Sequence, residues 1–278
     1  MKTVLFCFSA IALLALVSAA SNVNIIEPHN ITVSQNSTIF LGKVGPGQTF
    51  FVTVSAATQN STGYIFDRGW NKLIVTNAPV GWVVENSSLY GSTLSIKMTP
   101  AQNAQNGTYS FNLTALNLGN YSKLGSVEFH ALINVTPDVF KLQITPTNIS
   151  TGPGEPATIY VTINNTGVSD SPFVININGL PAWNSSKTVI ALHGTTGNFT
   201  YPVYEDEPGV YQAKLGVNSE QSSLVSKSSD ITLTIQASVF NDYAALGQGA
   251  IALPIIYEPV YAIMQIISAI LKALNISF

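Results

Sequence analysis

Hydrophobic and polar residues alternate in short runs along most of the chain, from about residue 22 to residue 238. Five of these runs carry β-branched and aromatic residues with partial period-two alternation, which is typical of half-buried β-strands. They are 49–54, 108–113, 127–132, 158–163 and 230–235. Turn-forming residues separate the runs, and no long helical periodicity interrupts them. The pattern predicts an all-β region.

An internal repeat is visible within this region. Four short motifs recur in the same order at an offset of about 100 residues, which indicates two homologous domains. The pairs are Gly45–Gly47 with Gly152–Gly154, Pro79–Trp82 with Pro181–Trp183, the sequon at Asn86 with that at Asn184, and Gly107–Tyr109 with Gly209–Tyr211. We therefore expect a first domain over residues 21–136 and a second over residues 137–237.

The spacing of strands and turns in each predicted domain favours an immunoglobulin-like β-sandwich. In that fold, a tyrosine at the start of a long strand often forms a tyrosine corner, and Tyr109 and Tyr211 occupy such positions. We interpret Trp82 and Trp183 as aromatic residues that pack between the two sheets. The alternative is that both are exposed and bind sugars.

The N-terminus is typical of a secretory signal peptide over residues 1–20. Lys2 supplies the positive start, and the apolar run that follows, Val4–Val17, is 14 residues long. Such a run is too short to span a bilayer comfortably, and the small residues after it suit signal peptidase. Cleavage is predicted after Ala19 or Ala20. The alternative is a retained N-terminal anchor.

The composition changes again in the C-terminal segment, residues 238–278. Between Tyr243 and Phe278, the only charged residues are Glu258 and Lys272. Hydrophobic residues follow a 3-4-3-4 spacing on one helical face, and the other faces are apolar too. They are Val260, Ile263, Ile267, Ile270 and Leu274. We expect a hydrophobic helix that anchors the protein in a membrane through residues 239–278. An oligomerising helix and a helix packed against a sandwich remain open.

Asn-x-Ser/Thr sequons are unusually frequent, with 13 in 278 residues, whereas chance expects roughly five. Together with the predicted signal, they indicate an extracellular glycoprotein, and each occupied asparagine should face solvent. The alternative is that asparagine, serine and threonine simply populate β-turns. Besides Asn275, the sequons are Asn30, Asn36, Asn60, Asn86, Asn106, Asn112, Asn120, Asn134, Asn148, Asn164, Asn184 and Asn198.

Charge and cysteine usage narrow the function classes further. Only 9% of residues are charged, against roughly a quarter in ordinary globular proteins. The basic residues are scattered, so no nucleic-acid footprint is present. Cys7 is the only cysteine and lies in the predicted signal, so stability must come from burial of the core. Solubility is expected to depend on glycans rather than on net charge.

No strong catalytic motif occurs, and we expect a protein that is not an enzyme and needs no cofactor. The acidic run Glu205–Glu207 is a candidate calcium site because carboxylate oxygens suit this ion. The alternative is a solvated loop, which we favour. His130 is interpreted as a packed or solvent-facing strand residue. Four further carboxylates show no spacing that points to a glycosidase pair, namely Asp67, Glu85, Glu128 and Asp170.

Turn motifs carry a resemblance to known surface proteins. Pro-Gly-Gln and Pro-Gly-Glu lead strands at residues 46–48 and 153–155, and the second domain adds Asn164–Gly167 and Leu180–Trp183. The combination resembles CARDB-type adhesion modules of archaeal and bacterial surface proteins. The layout of the whole chain resembles the small membrane-anchoring subunit of a crenarchaeal two-component surface layer (S-layer).

This resemblance implies a structural protein of the cell surface, with other surface-layer proteins as partners and a homo-oligomeric state. Three alternatives remain. The first is a filament subunit that donates an N-terminal strand to a neighbour, with Asn24–Ile26 or Ile31–Val33 as the donor. The second is a structural glycoprotein of an archaeal virus. The third is a secreted module that binds a carbohydrate or another substrate.

Overall fold

The computed structural model describes residues 22–59, 65–119, 124–181, 183 and 185–236. All the regular secondary structure assigned within these ranges is β-strand. The predicted all-β region is therefore confirmed there. The described chain divides into two compact units between Thr136 and Pro137. No helix in the described ranges is long and apolar enough to cross a membrane. The predicted signal peptide and hydrophobic C-terminal helix lie outside the described residues.

The first unit contains eleven strands. They are β1 (Val23–Glu27), β2 (Ile31–Val33), β3 (Thr38–Val44), β4 (Phe50–Ser55), β5 (Thr58–Gln59), β6 (Ile65–Phe66), β7 (Lys72–Thr76), β8 (Val83–Glu85), β9 (Thr93–Thr99), β10 (Gly107–Leu116) and β11 (Ser126–Val135). One sheet has the order β2-β1-β4-β9-β8 and the other β3-β11-β10-β7, while β5 and β6 form a separate hairpin. Strand β3 is parallel to β11.

The second unit contains eight strands. They are β12 (Phe140–Thr145), β13 (Asn148–Thr151), β14 (Ala157–Asn165), β15 (Ser171–Asn178), β16 (Ser186–Ala191), β17 (Thr196–Val203), β18 (Gly209–Ser219) and β19 (Ser226–Ile235). One sheet has the order β12-β14-β17 and the other β13-β19-β18-β15-β16. Here β13 is the strand that pairs in parallel with the last strand, β19.

Both units have the strand order of an immunoglobulin-like sandwich. In the first unit, β1, β4, β9 and β8 correspond to strands A, B, E and D, and β7, β10 and β11 correspond to C, F and G. In the second unit, β12, β14 and β17 correspond to A, B and E, and β15, β18 and β19 to C, F and G. One difference between the units lies after strand C, because β8 joins the sheet of strands A, B and E in the first unit whereas β16 joins the sheet of strands C, F and G in the second.

The alternating pattern of the strands explains the core of each unit. In the first unit, Val52 and Ile96 from one sheet and Phe111 and Ile133 from the other have at most 1% of their surface exposed. In the second unit, buried residues of both sheets form one cluster, in which the rings of Phe140 and Phe173 lie 4.8 Å apart. Inward side chains therefore meet between two sheets, as the period of two predicts.

The two glycine-proline-glycine motifs form the same turn. Gly47 and Gly154 both have a positive φ, 73° and 67°, a conformation that glycine adopts without steric cost. The side chain of Gln48 accepts a hydrogen bond from the Gly45 N–H at 2.9 Å, and that of Glu155 accepts one from the Gly152 N–H at 3.2 Å. This part of the predicted repeat is confirmed, and it leads into β4 and β14.

The two predicted tyrosine corners are also present. The hydroxyl of Tyr109 donates a hydrogen bond to the main-chain carbonyl of Gln105 at 3.0 Å. The hydroxyl of Tyr211 donates the equivalent bond to the carbonyl of Glu207 at 2.9 Å. Each bond joins the start of a long strand to the turn before it, as in immunoglobulin-like domains.

The two segments considered as donor strands belong to the first unit's own sheet. Strand β1 lies between β2 and β4, and Val23, Ile25 and Val33 are buried in the core. Strand donation requires an acceptor sandwich with a strand missing. Among the described residues of the first unit, strands A to G are all supplied by the chain itself, so the filament alternative gains no support.

Candidate functional site

The candidate functional sites are the twelve sequon asparagines that precede Asn275, and nine of these twelve lie in the described ranges. Six are exposed, namely Asn30, Asn36, Asn86, Asn106, Asn148 and Asn198, and three are half-buried, namely Asn112, Asn134 and Asn164. The buried asparagines of the described chain are Asn71 and Asn165, and neither is the acceptor asparagine of a sequon, although Asn165 is the middle residue of the sequon at Asn164. Asn60, Asn120 and Asn184 lie outside the described residues.

Strand register is what turns five of these asparagines outward. They are Asn112 in β10, Asn134 in β11, Asn148 in β13, Asn164 in β14 and Asn198 in β17. Asn134, for example, lies between Ile133 and Val135, both fully buried. Because successive side chains of a strand point to opposite faces, the outward direction follows from the burial of the neighbours. All five are accessible to the attachment of a glycan.

The strand-borne sequons are unevenly distributed over the sheet faces. In the first unit, Asn112 and Asn134 lie on the outer face of the β3-β11-β10-β7 sheet. In the second unit, Asn164 and Asn198 lie on the outer face of the β12-β14-β17 sheet. Strands β4, β8 and β9 contain no sequon asparagine. We call the first two surfaces the sequon-bearing faces.

Asn86 has a structural role that leaves its attachment atom available. Its Oδ1 accepts a hydrogen bond from the Val75 N–H at 2.8 Å, and the neighbouring Ser87 Oγ accepts one from the Leu73 N–H at 2.8 Å. These bonds satisfy main-chain groups along the free edge of β7. The amide nitrogen of Asn86, to which a glycan is joined, takes no part in them.

Asn112 lies in a polar row across β10 and β11. Its Nδ2 donates to Glu128 Oε1 at 2.8 Å, which places its Oδ1 2.8 Å from His130 Nδ1. Since Oδ1 can only accept, His130 Nδ1 carries the proton in this arrangement. One N–H of the Asn112 amide remains after glycan attachment and can still donate to Glu128. His130 is thus a half-buried strand residue, as predicted.

Trp82 and Trp183 are both half-buried rather than displayed. The Trp82 ring lies 5.5 Å from Tyr109, and 6.2 Å from Phe111, which is 1% exposed. Trp183 packs against the hydrophobic core of the second unit, with its ring 4.6 Å from Tyr204. These contacts agree with the predicted packing role and give the sugar-binding alternative no support.

The acidic run Glu205–Glu207 lies in the loop between β17 and β18. Glu205 is 2% exposed, and its main-chain carbonyl accepts a hydrogen bond from the Gly154 N–H at 2.9 Å. No group of three or more histidine, cysteine, aspartate or glutamate side chains in the described ranges is arranged to hold a metal ion. The loop interpretation of Glu205–Glu207 fits better, although Glu205 itself is buried rather than solvated.

Three of the carboxylates considered for a glycosidase pair have separate local partners. Glu85 forms an ion pair with Lys97 at 2.8 Å, and Asp170 lies 2.7 Å from His193 Nδ1. Glu128 accepts the bond from Asn112 described above. Asp67 is exposed. Nothing in these contacts brings any two of the four together.

Two structural residues were missed by the reasoning from sequence. Trp70 is fully buried in the first unit, and its Nε1 donates to the carbonyl of Asn22 at 3.3 Å. Asn165 is 1% exposed and donates to the carbonyls of Ser169 and Ala191 at 2.8 and 2.9 Å. The Asn-Asn-Thr-Gly motif predicted this turn, but the sequence did not reveal that the buried Asn165 side chain links the main chain at Ser169 and Ala191.

No protein-family model matches the chain, and no curated protein sequence is significantly similar to it. Solved structures that resemble it include the Yersinia pseudotuberculosis adhesin InvE, at 13% identity and TM-score 0.26, covering 77% of this chain and 59% of InvE. Domains 5–6 of the S-layer protein SbsC match at 14% identity and TM-score 0.25, covering 77% of this chain and 100% of that one.

A β-glucosidase from Listeria innocua in complex with laminaribiose matches at 16% identity and TM-score 0.25, covering 35% of this chain. This chain spans only 16% of the β-glucosidase. Similarities at this level carry no argument about function. The immunoglobulin-like arrangement of each unit follows from its strand order and core.

Proposed function

We propose that the protein is an exported structural glycoprotein of a cell surface, and that its sequon-bearing faces carry N-linked glycans. One observation carries the proposal. Every acceptor asparagine of a sequon in the described chain is accessible, whereas the two buried asparagines, Asn71 and Asn165, are not acceptors. A turn-forming role for the sequons does not explain why five of them occur on the outward side of regular strands.

A glycan layer would supply the hydration and the separation between molecules that a surface with few charged residues lacks. In the described chain, ion pairs join Lys97 with Glu85 and Lys227 with Asp138, a hydrogen bond joins His193 with Asp170, and all of these side chains are at least a third exposed. Exposed pairs of this kind contribute little to stability. With only 9% charged residues, repulsion between like-charged molecules is weak, so hydrated glycans would keep the sandwiches apart in solution.

The C-terminal segment, residues 238–278, is proposed to tether the sandwiches to the membrane. An S-layer or related envelope component is the role we favour, with other surface-layer proteins and further copies of this chain as partners. The basis is the apolar composition of this segment and the sequon-rich region before it. A virus structural glycoprotein has the same chemistry and remains the alternative.

Envelope fractionation tests the tether. The full-length protein is compared with a version that ends at Ser238, and full-length Asn275→Gln serves as the control because it leaves the hydrophobic residues unchanged. We expect the full-length protein and the control to require detergent for release, while the truncated version escapes to the medium. Retention of the truncated protein in the envelope would overturn the anchor, and would indicate that contacts of the sandwiches hold it.

A further inference from the structure

Large exposed aromatic side chains are few among the described residues, and their positions are informative. In the described chain they are Phe40, Phe51, Tyr90 and Tyr160, with 57%, 47%, 59% and 57% of their surfaces exposed. An exposed aromatic ring leaves a large apolar area in water, so it often marks a contact. Phe40 and Tyr160 both lie on the sequon-bearing faces, each diagonally across from a sequon asparagine.

Phe40 lies next to Asn134 on the outer face of the first unit. In the parallel pairing of β3 with β11, Phe40 is opposite Leu132, and Lys43 is opposite Asn134. Asn134 therefore lies one strand across and two residues along β11 from Phe40, and a β-bulge shifts the register between the two positions. In a regular pair, with strands about 4.8 Å apart and a rise of about 3.3 Å per residue, Cβ atoms so placed are about 8 Å apart.

Tyr160 has the same relationship to Asn198 in the second unit. In the antiparallel pairing of β14 with β17, Tyr160 is opposite Thr200, and Thr162 is opposite Asn198. Diagonal neighbours of this kind have Cβ atoms about 7–8 Å apart. Thr162 Oγ1 donates a hydrogen bond to Asn198 Oδ1 at 2.8 Å, which fixes the amide and leaves its Nδ2 for the glycan.

A sugar ring joined to either asparagine lies within reach of the neighbouring aromatic ring. The C–H face of a pyranose is apolar and packs on an aromatic ring, while its hydroxyl groups remain in water. The tether keeps the sugar at a high effective concentration, so even a weak contact is occupied. A gap of about 8 Å between Cβ atoms is spanned by a phenyl ring from one side and an amide-linked sugar from the other.

We propose that Phe40 and Tyr160 are binding platforms for the protein's own glycans, which pack the first sugars of the chains on Asn134 and Asn198 against the two sheets. The inference rests on the proposed glycosylation but not on the proposed membrane tether. It explains why two of the few large exposed aromatic side chains in the described chain lie on the sequon-bearing faces. It also predicts that these glycans stabilise the fold instead of merely coating it.

A double-mutant cycle tests the first platform. Full-length wild type, Phe40→Ala, Asn134→Gln and the combined variant are produced in a glycosylating host, and site occupancy is measured by mass spectrometry. We expect Phe40→Ala to lower the melting temperature more in the glycosylated background than in the Asn134→Gln background, by about 2–4 °C. The contact of Phe40 with its strand neighbour is lost in both backgrounds and cancels in the cycle.

The second platform has an equivalent cycle with Tyr160→Ala and Asn198→Gln, and Phe51 provides the matched control. Phe51 is similarly exposed, but it lies in β4, on the face without strand-borne sequons. A cycle of Phe51→Ala with Asn134→Gln should show no coupling.

Occupied asparagines without coupling would overturn the platform while leaving the glycoprotein proposal intact. Unoccupied asparagines in the wild type would overturn both.

Discussion

The hydroxyl of Tyr109 donates a hydrogen bond to the main-chain carbonyl of Gln105 at 3.0 Å, across the turn that precedes β10. The same bond recurs in the second unit before β18. The two sandwiches thus share a turn that fixes where β10 and β18 begin. The repeat seen in the sequence is therefore a repeat of structure, and this hydrogen bond should contribute to the stability of each unit.

Replacement of Tyr109 by phenylalanine removes this hydrogen bond while keeping the ring contact with Trp82. We expect Tyr109→Phe to lower the free energy of unfolding by about 1 kcal/mol, because the carbonyl of Gln105 loses its partner. Tyr211→Phe should act in the same direction. Urea unfolding measures the change, with the exposed Tyr160→Phe as a control. Equal stability of Tyr109→Phe and the control would show that the corner is not a stabilising element.

Alkaline pH should destabilise the second unit through its tyrosines. Burial raises the pKa of Tyr201, and desolvation, followed by the carboxylates of Glu205 and Glu207, raises the pKa of Tyr211. The unfolded chain then loses these protons first, at about pH 10. The stability contributed by the protonated phenols is complete below that pH and is lost as the pH rises through the folded-state values.

Thermal unfolding between pH 7 and pH 11 measures this effect. We expect a nearly constant midpoint up to about pH 9 and a fall above about pH 10. Tyr201→Phe should show a smaller fall, because it no longer ionises, although it loses the hydrogen bond that Tyr201 donates to the carbonyl of Ser185. A fall of the same size in wild type and Tyr201→Phe would contradict a contribution from this residue.

Asn165 should be among the most sensitive polar positions of the second unit. Its amide nitrogen donates to two carbonyls, and its Oδ1 accepts from the Gly167 N–H at 3.0 Å. Asn165→Ala leaves these buried groups unpaired, and we expect a loss of about 2–4 kcal/mol in unfolding free energy. The exposed Asn178→Ala is the matched control. A loss below about 1 kcal/mol would mean that water replaces the amide.

Replacement of Trp82 tests whether this residue packs in the core or binds a ligand. Its contacts with Phe50, at 6.3 Å between ring centroids, and with the Tyr109 ring predict that Trp82→Ala lowers unfolding free energy by about 2 kcal/mol, since the side chain is half-buried. Binding of soluble oligosaccharides, followed by calorimetry, should be absent from wild type and variant alike. A binding signal that disappears in a stably folded Trp82→Ala protein would restore the sugar-binding alternative.

The sequence predicted the features that depend on local pattern. The run at residues 158–163 became part of β14 and that at 230–235 part of β19, because alternation of polar and apolar residues is the physical requirement of a half-buried strand. The tyrosine corners were predictable for a similar reason. The short Gly-x-Tyr motif places both the tyrosine hydroxyl, which donates the hydrogen bond, and the turn whose carbonyl accepts it.

Features that depend on long-range pairing were not predictable in this way. The sequence contained no sign that β8 and β16 join different sheets, or that Trp70 fills the core of the first unit. The diagonal placement of Phe40 and Asn134 depends on the register of two strands far apart in the chain. A shift of one residue in that register would have turned the side chains of the shifted strand to the opposite face of the sheet. The outward direction of the sequons was expected, whereas their uneven distribution over the faces required the topology.

Site-specific mass spectrometry of the protein isolated from its producing cells shows whether the sequon-bearing faces carry glycans. Each sequon peptide is compared before and after removal of N-linked glycans. We expect glycans on Asn112, Asn134, Asn164 and Asn198, the asparagines of the two sequon-bearing faces, and unmodified Asn71 and Asn165 as internal controls. Unmodified asparagines at all four of those positions would contradict the account, and would leave two polar sandwiches whose sequons only shape turns and strand edges.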